Sequence, residues 1–158
     1  MELYFLRHGA AASRGDWEGE DALRPLTDRG REDVAKMAGL LARTAPVLDA
    51  IITSPYLRAG ETAEIVAQHL DLKDRVVSDT LIAPGFDAGR LAKLVKQYPE
   101  ANALLLVGHE PDFSTTVGEL TGGRIVLKKG GMALVESPGE SLKKATLVWL
   151  VQPAVIGA

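Results

Sequence analysis

Leu3-Tyr4-Phe5-Leu6-Arg7-His8-Gly9 places a guanidinium, an imidazole and a glycine directly behind a four-residue apolar run. A run of that kind predicts a buried strand. Open α/β sheets bind ligands just past the carboxyl ends of their strands. Arg7 and His8 therefore stand where a site is expected, and Gly9 is expected to let the backbone turn away and leave room for a ligand.

Two further stretches repeat the arrangement. Ala50-Ile51-Ile52-Thr53 is followed by Ser54-Pro55-Tyr56-Leu57-Arg58-Ala59, and Leu104-Leu105-Leu106-Val107 by Gly108-His109-Glu110-Pro111. If the three strands are parallel neighbours, Arg7, His8, Arg58 and His109 converge on one edge of one sheet. Two arginines and two histidines in one pocket describe an anion site, with phosphate the leading candidate.

The rest of the chain fits an α/β reading. Thr27 has the chemistry of a helix N-cap, and Val34, Met37, Ala38 and Leu41 follow at helical spacing to an end near Arg43-Thr44. Ser54-Pro55 opens a second helix carrying Leu57, Ala63, Val66 and Leu70, with Arg58 in its first turn, where free N–H groups already favour phosphate. Arg75 to Ser78 is a short strand candidate leading into the turn-rich segment Asp79 to Gly85. Helices are expected over Gly89 to Tyr98 and over Phe113 to Leu120, the latter capped by Asp112. Ile125-Val126-Leu127 and Met132 to Val135 flank Lys128-Lys129-Gly130-Gly131, a hairpin signal. The last strand is expected over Thr146 to Val151, with a loose tail past Pro153. The expected fold class is thus a three-layer α/β/α sandwich with a mostly parallel sheet and an antiparallel C-terminal addition, in one domain over residues 1–158.

Composition narrows the function. With 46% hydrophobic and 25% charged residues the chain reads as a soluble globular protein. A net charge of -3 argues against a general nucleic-acid binder, so any basic site must be local. With no cysteine there is no thiol nucleophile or thiolate metal site. No segment reads as a signal peptide or a membrane span, and a cytoplasmic protein is expected.

A phosphoryl group held between Arg7, Arg58 and His109 would meet two planar guanidiniums, with a protonated His109 donating as well. His8 would then be free to attack phosphorus, its pKa lowered by the cations around it. Arginine would supply the charge a metal otherwise brings, so neither a metal nor another cofactor is expected.

Leu6-Arg7-His8-Gly9, Ser54-Pro55-x-x-Arg58-Ala59-x-x-Thr62 and Val107-Gly108-His109-Glu110-Pro111, in that order, resemble the signatures of the histidine phosphatase (phosphoglycerate mutase-like) superfamily. Within it, the short chain resembles the SixA-type phosphohistidine phosphatases, and Arg24-Pro25-Leu26-Thr27-x-x-Gly30 and Leu127-Lys128-Lys129-Gly130 match that branch too. The resemblance runs from residue 2 to about residue 151. It implies a covalent phosphohistidine on His8, with Arg7, Arg58 and His109 binding the phosphoryl group. The chain lacks the large insertions that cap other members. Where phosphomonoesterases of the superfamily place a Glu or Asp as proton donor, Asp79-Thr80-Leu81-Ile82 offers Thr80 and Leu81, with Asp79 nearby. An absent acid matters least when imidazole is the leaving group, which favours a phosphohistidine-bearing protein, such as a histidine phosphotransfer domain, as substrate.

Two other functions stay open: a phosphatase or mutase for small phosphate esters, and a module that binds phosphate or a phosphoprotein without turnover. Several residues also keep two readings. The acidic loop 13–24, with Trp17, is either a solvated loop or a flap that repels small, highly anionic substrates. Glu110 either lines the pocket or begins the next helix, and Lys128-Lys129 is either a solvated turn or a docking point. Thr62 is expected to pack or cap, Trp149 to lie in the core and His69 to sit on the surface.

Overall fold

The opening run is strand β1 (Glu2–Arg7), and it lies near the middle of a six-stranded sheet. The computed structural model describes residues 1–139 and 141–157. Its other strands are β2 (Ala50–Thr53), β3 (Val76–Ser78), β4 (Ala103–Gly108), β5 (Met132–Glu136) and β6 (Thr146–Val151). They lie in the order β3-β2-β4-β1-β5-β6. The first four of that order are mutually parallel, and β5 and β6 add on antiparallel beside β1. This is the α/β sandwich expected, with its antiparallel C-terminal addition.

Helices cover both faces, which is why β1 and β4 are apolar without alternation. Successive strand side chains point to opposite faces. Leu3 and Phe5 pack with α3 (Ala88–Lys96) and α4 (Asp112–Thr121), through Leu91, Leu94, Phe113 and Val117. Tyr4 and Leu6 pack with α1 (Asp28–Thr44) and α2 (Leu57–Leu70), through Val34, Met37, Leu41, Ala63 and Val66. Each such large apolar side chain contributes roughly 1.5–3 kcal/mol when fully buried.

The register matters most for function. Arg7 lies opposite Gly108, and Thr53 opposite Val107. The three strands therefore end nearly level, and His8, Ser54 and His109 emerge side by side.

Four local expectations are corrected. Ile125–Leu127 is not a strand, because side chains rather than a ladder take its backbone: Leu127 N–H donates to Ser114 Oγ at 2.9 Å, and Val126 O accepts from Gln152 Nε2 at 2.7 Å. The strands flanking β5 are β1 and β6 instead, both antiparallel to it. Asp112 does not cap α4; it is the first helical residue, and its carboxylate accepts from Gly85 N–H at 2.8 Å. Glu110 takes the capping work by accepting from Ser114 N–H at 2.9 Å. Past Pro153 the chain is not loose: Pro153–Val155 forms a 3-10 turn, Pro153 is buried, and Ile156 packs on the α1/α2 core. Gly9 is needed for packing rather than for a turn, since a Cβ there would stand 2.7 Å from Val34 Cγ2 and 2.9 Å from Gly30 O. Among the described residues no helix is long and apolar enough to cross a membrane.

Candidate active site

The tip of β1 is held from both sides. His8 N–H donates to Gly108 O of β4 at 3.0 Å, and His8 O accepts from Gly130 N–H at 3.0 Å. The Lys128–Gly131 turn thus closes against the strand end. Arg7 donates through one terminal nitrogen to Leu127 O at 2.9 Å, while its Nε is buried with no partner.

The imidazole of His8 has an assignable tautomer. Its Nδ1 lies 2.7 Å from Gly9 O, and a carbonyl can only accept, so Nδ1 carries the proton. The lone pair is then on Nε2, which accepts from Arg58 Nε–H at 3.3 Å. Burial lowers the His8 pKa to about 3; the Gly9 bond works against this, while His109, Arg58 and Arg7 lower it further. Desolvation, rather than the surrounding cations expected from the sequence, leads this shift. Either way the ring is neutral at pH 7, with Nε2 free of a proton.

Arg58 comes from the first turn of α2, which begins at once after the β2 tip because Ser54-Pro55-Tyr56 makes the corner. Ser54 Oγ accepts from Tyr56 N–H at 3.2 Å and so fixes that corner. Thr62, one turn on, donates to Arg58 O at 2.8 Å and accepts from Gly9 N–H at 3.1 Å, tying α2 to the strand tip. The Arg58 guanidinium lies over the Tyr56 ring, 4.9 Å from its centroid.

The outward fork of Arg58 is already taken. Its terminal nitrogens donate to the backbone oxygen of Asp21 at 2.8 Å and to its carboxylate at 3.1 Å. Asp21 begins a 3-10 turn, Asp21–Leu23, within the acidic loop. Arg24, buried beside it, also donates to the Asp21 carboxylate, at 3.1 Å. Burial works against the Asp21 charge, but Arg58 and Arg24 outweigh it and hold its carboxyl below the usual range. The loop is pinned at its neck as well, through Ala12 N–H to Pro25 O at 2.9 Å and Thr27 N–H to Ala10 O at 2.9 Å. It is therefore a fixed wall. Its repelling role is not what the structure shows at Asp21, whose charge is matched by arginines.

His109 follows β4, its ring centroid 5.3 Å from that of His8. Its Nε2 lies 2.7 Å from Ser54 Oγ, and its Nδ1 is buried without a partner. The Tyr56 ring meets it edge-on at 5.1 Å. Burial lowers its pKa to about 4, with Arg58 adding to the shift and Asp21 opposing it. The protonated His109 expected from the sequence is thus replaced, in this site, by a neutral ring. Ser54 can donate its hydroxyl to Nε2, which leaves the proton on Nδ1 as a neutral donor.

All four residues singled out from the sequence line one cavity of about 520 Å³. His8, Arg58 and His109 are 7%, 2% and 5% exposed, so their charges and lone pairs act in a medium far less screening than water. Arg14, Arg24 and Lys129 add cations to the wall, against the carboxylates of Asp21 and Glu110. Glu110, two residues before α4, thus lines the pocket while its side chain accepts from the helix's first turn. Of the turn-rich segment Asp79 to Gly85, only Pro84 reaches the cavity. Among the described residues no group of three or more His, Asp and Glu could hold a metal ion. Among the described residues the two unpartnered buried side-chain polar atoms, Arg7 Nε and His109 Nδ1, belong to this wall, and both suit an oxyanion.

Residues 3–82 match the histidine phosphatase superfamily (branch 1). An uncharacterised protein of Picosynechococcus sp. is 36% identical over 154 residues, 92% of this chain and 91% of that one. The phosphohistidine phosphatase SixA of Escherichia coli is 25% identical over 155 residues, 97% of this chain and 94% of SixA. Among solved structures, the protein histidine phosphatase SixA complexed with tungstate superposes with a TM-score of 0.88 at 25% identity, over 99% of this chain and 100% of that one.

Proposed function

Since the chain belongs to the histidine phosphatase superfamily (branch 1) and is a phosphatase of the SixA-like kind, we propose that it removes the phosphoryl group from a phosphohistidine on a protein, through a covalent intermediate on His8, as one domain over residues 1–158. The observation that carries this reading is the His8 tautomer: Nδ1–H is committed to Gly9 O, and the Nε2 lone pair faces the cavity beside Arg58.

In the first step the Nε2 lone pair of His8 attacks phosphorus, and the bond from phosphorus to the substrate's imidazole nitrogen breaks with its electron pair. A substrate imidazole protonated on its other nitrogen leaves as a neutral ring, so no enzyme acid is required. In the second step water attacks the phosphoryl group on His8, orthophosphate departs, and the pair returns to Nε2. Arg7 Nε–H and His109 Nδ1–H offer fixed donors to the phosphoryl oxygens, and Arg58 Nε–H, which holds His8 Nε2 beforehand, joins them once that lone pair bonds to phosphorus.

The carboxylates at hand favour this leaving group over an alkoxide. Asp21 is ion-paired to Arg58 and Arg24 and is a poor acid, Glu110 is engaged at the start of α4 by accepting from Ser114 N–H, and Asp79, Thr80 and Leu81 lie off the cavity wall. An alkoxide would need a proton that this wall is badly placed to give. A SixA structure complexed with tungstate, a tetrahedral oxyanion, is in keeping with a phosphoryl-binding role for this fold.

The test is a substrate panel in EDTA. A histidine-phosphorylated phosphotransfer domain should be turned over with kcat/KM at least ~10²-fold above that of sugar phosphates, as a missing acid would penalise esters by about that much. Fast turnover of a sugar phosphate or nucleotide, with none on phosphohistidine, would establish the ester reading instead.

A further inference from the structure

A second basic surface adjoins the phosphoryl pocket. Arg7, Arg29, Lys128 and Lys129 line a cavity of about 380 Å³, together with Asp33. Arg7 and Lys129 also line the phosphoryl pocket, so the two run into each other. Asp33 is matched by Arg29 at 3.2 Å and Lys36 at 3.8 Å. Among the described residues Lys128 and Lys129 have no carboxylate partner.

The backbone beneath these lysines is unusually fixed for an exposed turn. Gly131 N–H donates to Lys128 O at 2.7 Å, and Gly130 N–H reaches His8 O at 3.0 Å. Lys128 N–H donates to Gln152 Oε1 at 2.9 Å, and the same amide's nitrogen holds Val126 O. At Gly131 a Cβ would collide with that Gln152 side chain. Two uncompensated ammonium groups are thereby presented at a set place on the pocket's lip, on a chain whose net charge is -3. Such a chain would repel an acidic partner everywhere except at a local cationic field.

We infer that the lip formed by Lys128 and Lys129, with the Asp33-paired Arg29 beside them, docks an acidic stretch of the phosphorylated protein, next to its phosphohistidine. This rests on the protein-phosphohistidine reading above. Exposed charge pairs at an interface rim act mainly on encounter and fade with salt. The lip would therefore set KM for the protein substrate and leave the chemistry at His8 alone.

Two synthetic phosphohistidine peptides of equal length test this, one flanked by Asp and Glu and the other by Asn and Gln. The acidic peptide should have a KM about three- to tenfold lower at low salt with the same kcat. That preference should vanish in the Arg29→Glu, Lys128→Glu double variant and in ~0.5 M salt. Both side chains are exposed, and unchanged hydrolysis of the neutral peptide by the variant reports an intact fold. Equal KM values for the two peptides, or a preference that survives charge reversal, would overturn the inference. Failure to hydrolyse either peptide, with rapid turnover of a phosphate ester, would instead overturn the phosphohistidine reading and this one with it.

Discussion

Asp21 accepts from both terminal nitrogens of Arg58, through its backbone oxygen at 2.8 Å and its carboxylate at 3.1 Å. Only the inner edge of the guanidinium, with Nε–H, is left to face His8 Nε2 at 3.3 Å. A loop residue therefore sets which side of Arg58 faces His8. Asp21→Asn keeps the backbone contact and loses the charge that aligns the fork. It should lower kcat/KM about fivefold to tenfold, with kcat falling more than KM rises. Increased activity in steady-state kinetics would show that Asp21 blocks Arg58 rather than aims it.

Arg58→Lys should cost more, about 10²-fold in kcat/KM. An ammonium cannot reach His8 and Asp21 together in the geometry the planar guanidinium provides. Inorganic phosphate inhibition measured beside turnover would separate lost binding from lost rate. Near-native kinetics would mean that a point charge suffices there.

Much of this site could be read from residues alone, and the reason is geometric. Arg7, His8, Arg58 and His109 each follow a buried apolar run within a few positions, and parallel strands in register bring such positions together. Asp21 could not be singled out, because nothing in spacing distinguishes it from Asp16, Glu18 or Glu20 in the same loop. The loop's fold depends on its contact with Arg58, a partner 37 positions away. Ser54 announced a turn, but its bond to His109 joins two strand tips and leaves no local pattern. Ile125–Leu127 misled for the opposite reason: it has strand-like composition, yet its backbone is claimed by Ser114, Arg7 and Gln152.

Ser54→Ala should strand two groups, His109 Nε2 and Tyr56 N–H. Denaturant unfolding should show a loss of about 1–3 kcal/mol, the usual result when a buried partner is removed. The variant's pH–rate profile should also shift, since His109 loses the hydroxyl that selects its tautomer, and Ser54→Thr should restore much of it. An unchanged profile in Ser54→Ala would show that the bond is structural only.

Stability should fall in mild acid. Burial lowers His8 to about 3 and His109 to about 4, from an ordinary value of 6.5. Below that ordinary value the unfolded chain takes up protons that the folded site refuses. The contribution is therefore full above about pH 6.5 and is lost as pH falls toward the folded values. The denaturant midpoint should drop between about pH 7 and about pH 5, and less steeply in His8→Asn, which removes one of the two groups. Equal slopes in the two proteins would show that His8 is not held neutral by the fold.

The covalent role proposed for His8 is most directly tested by rapid acid-free quenching of the enzyme with a histidine-phosphorylated substrate, followed by peptide mapping. A phosphoryl group on the peptide containing His8, acid-labile, forming at least as fast as turnover and absent in His8→Ala, is the predicted result. Turnover with that peptide unmodified at every time point, or undiminished in His8→Ala, would contradict it.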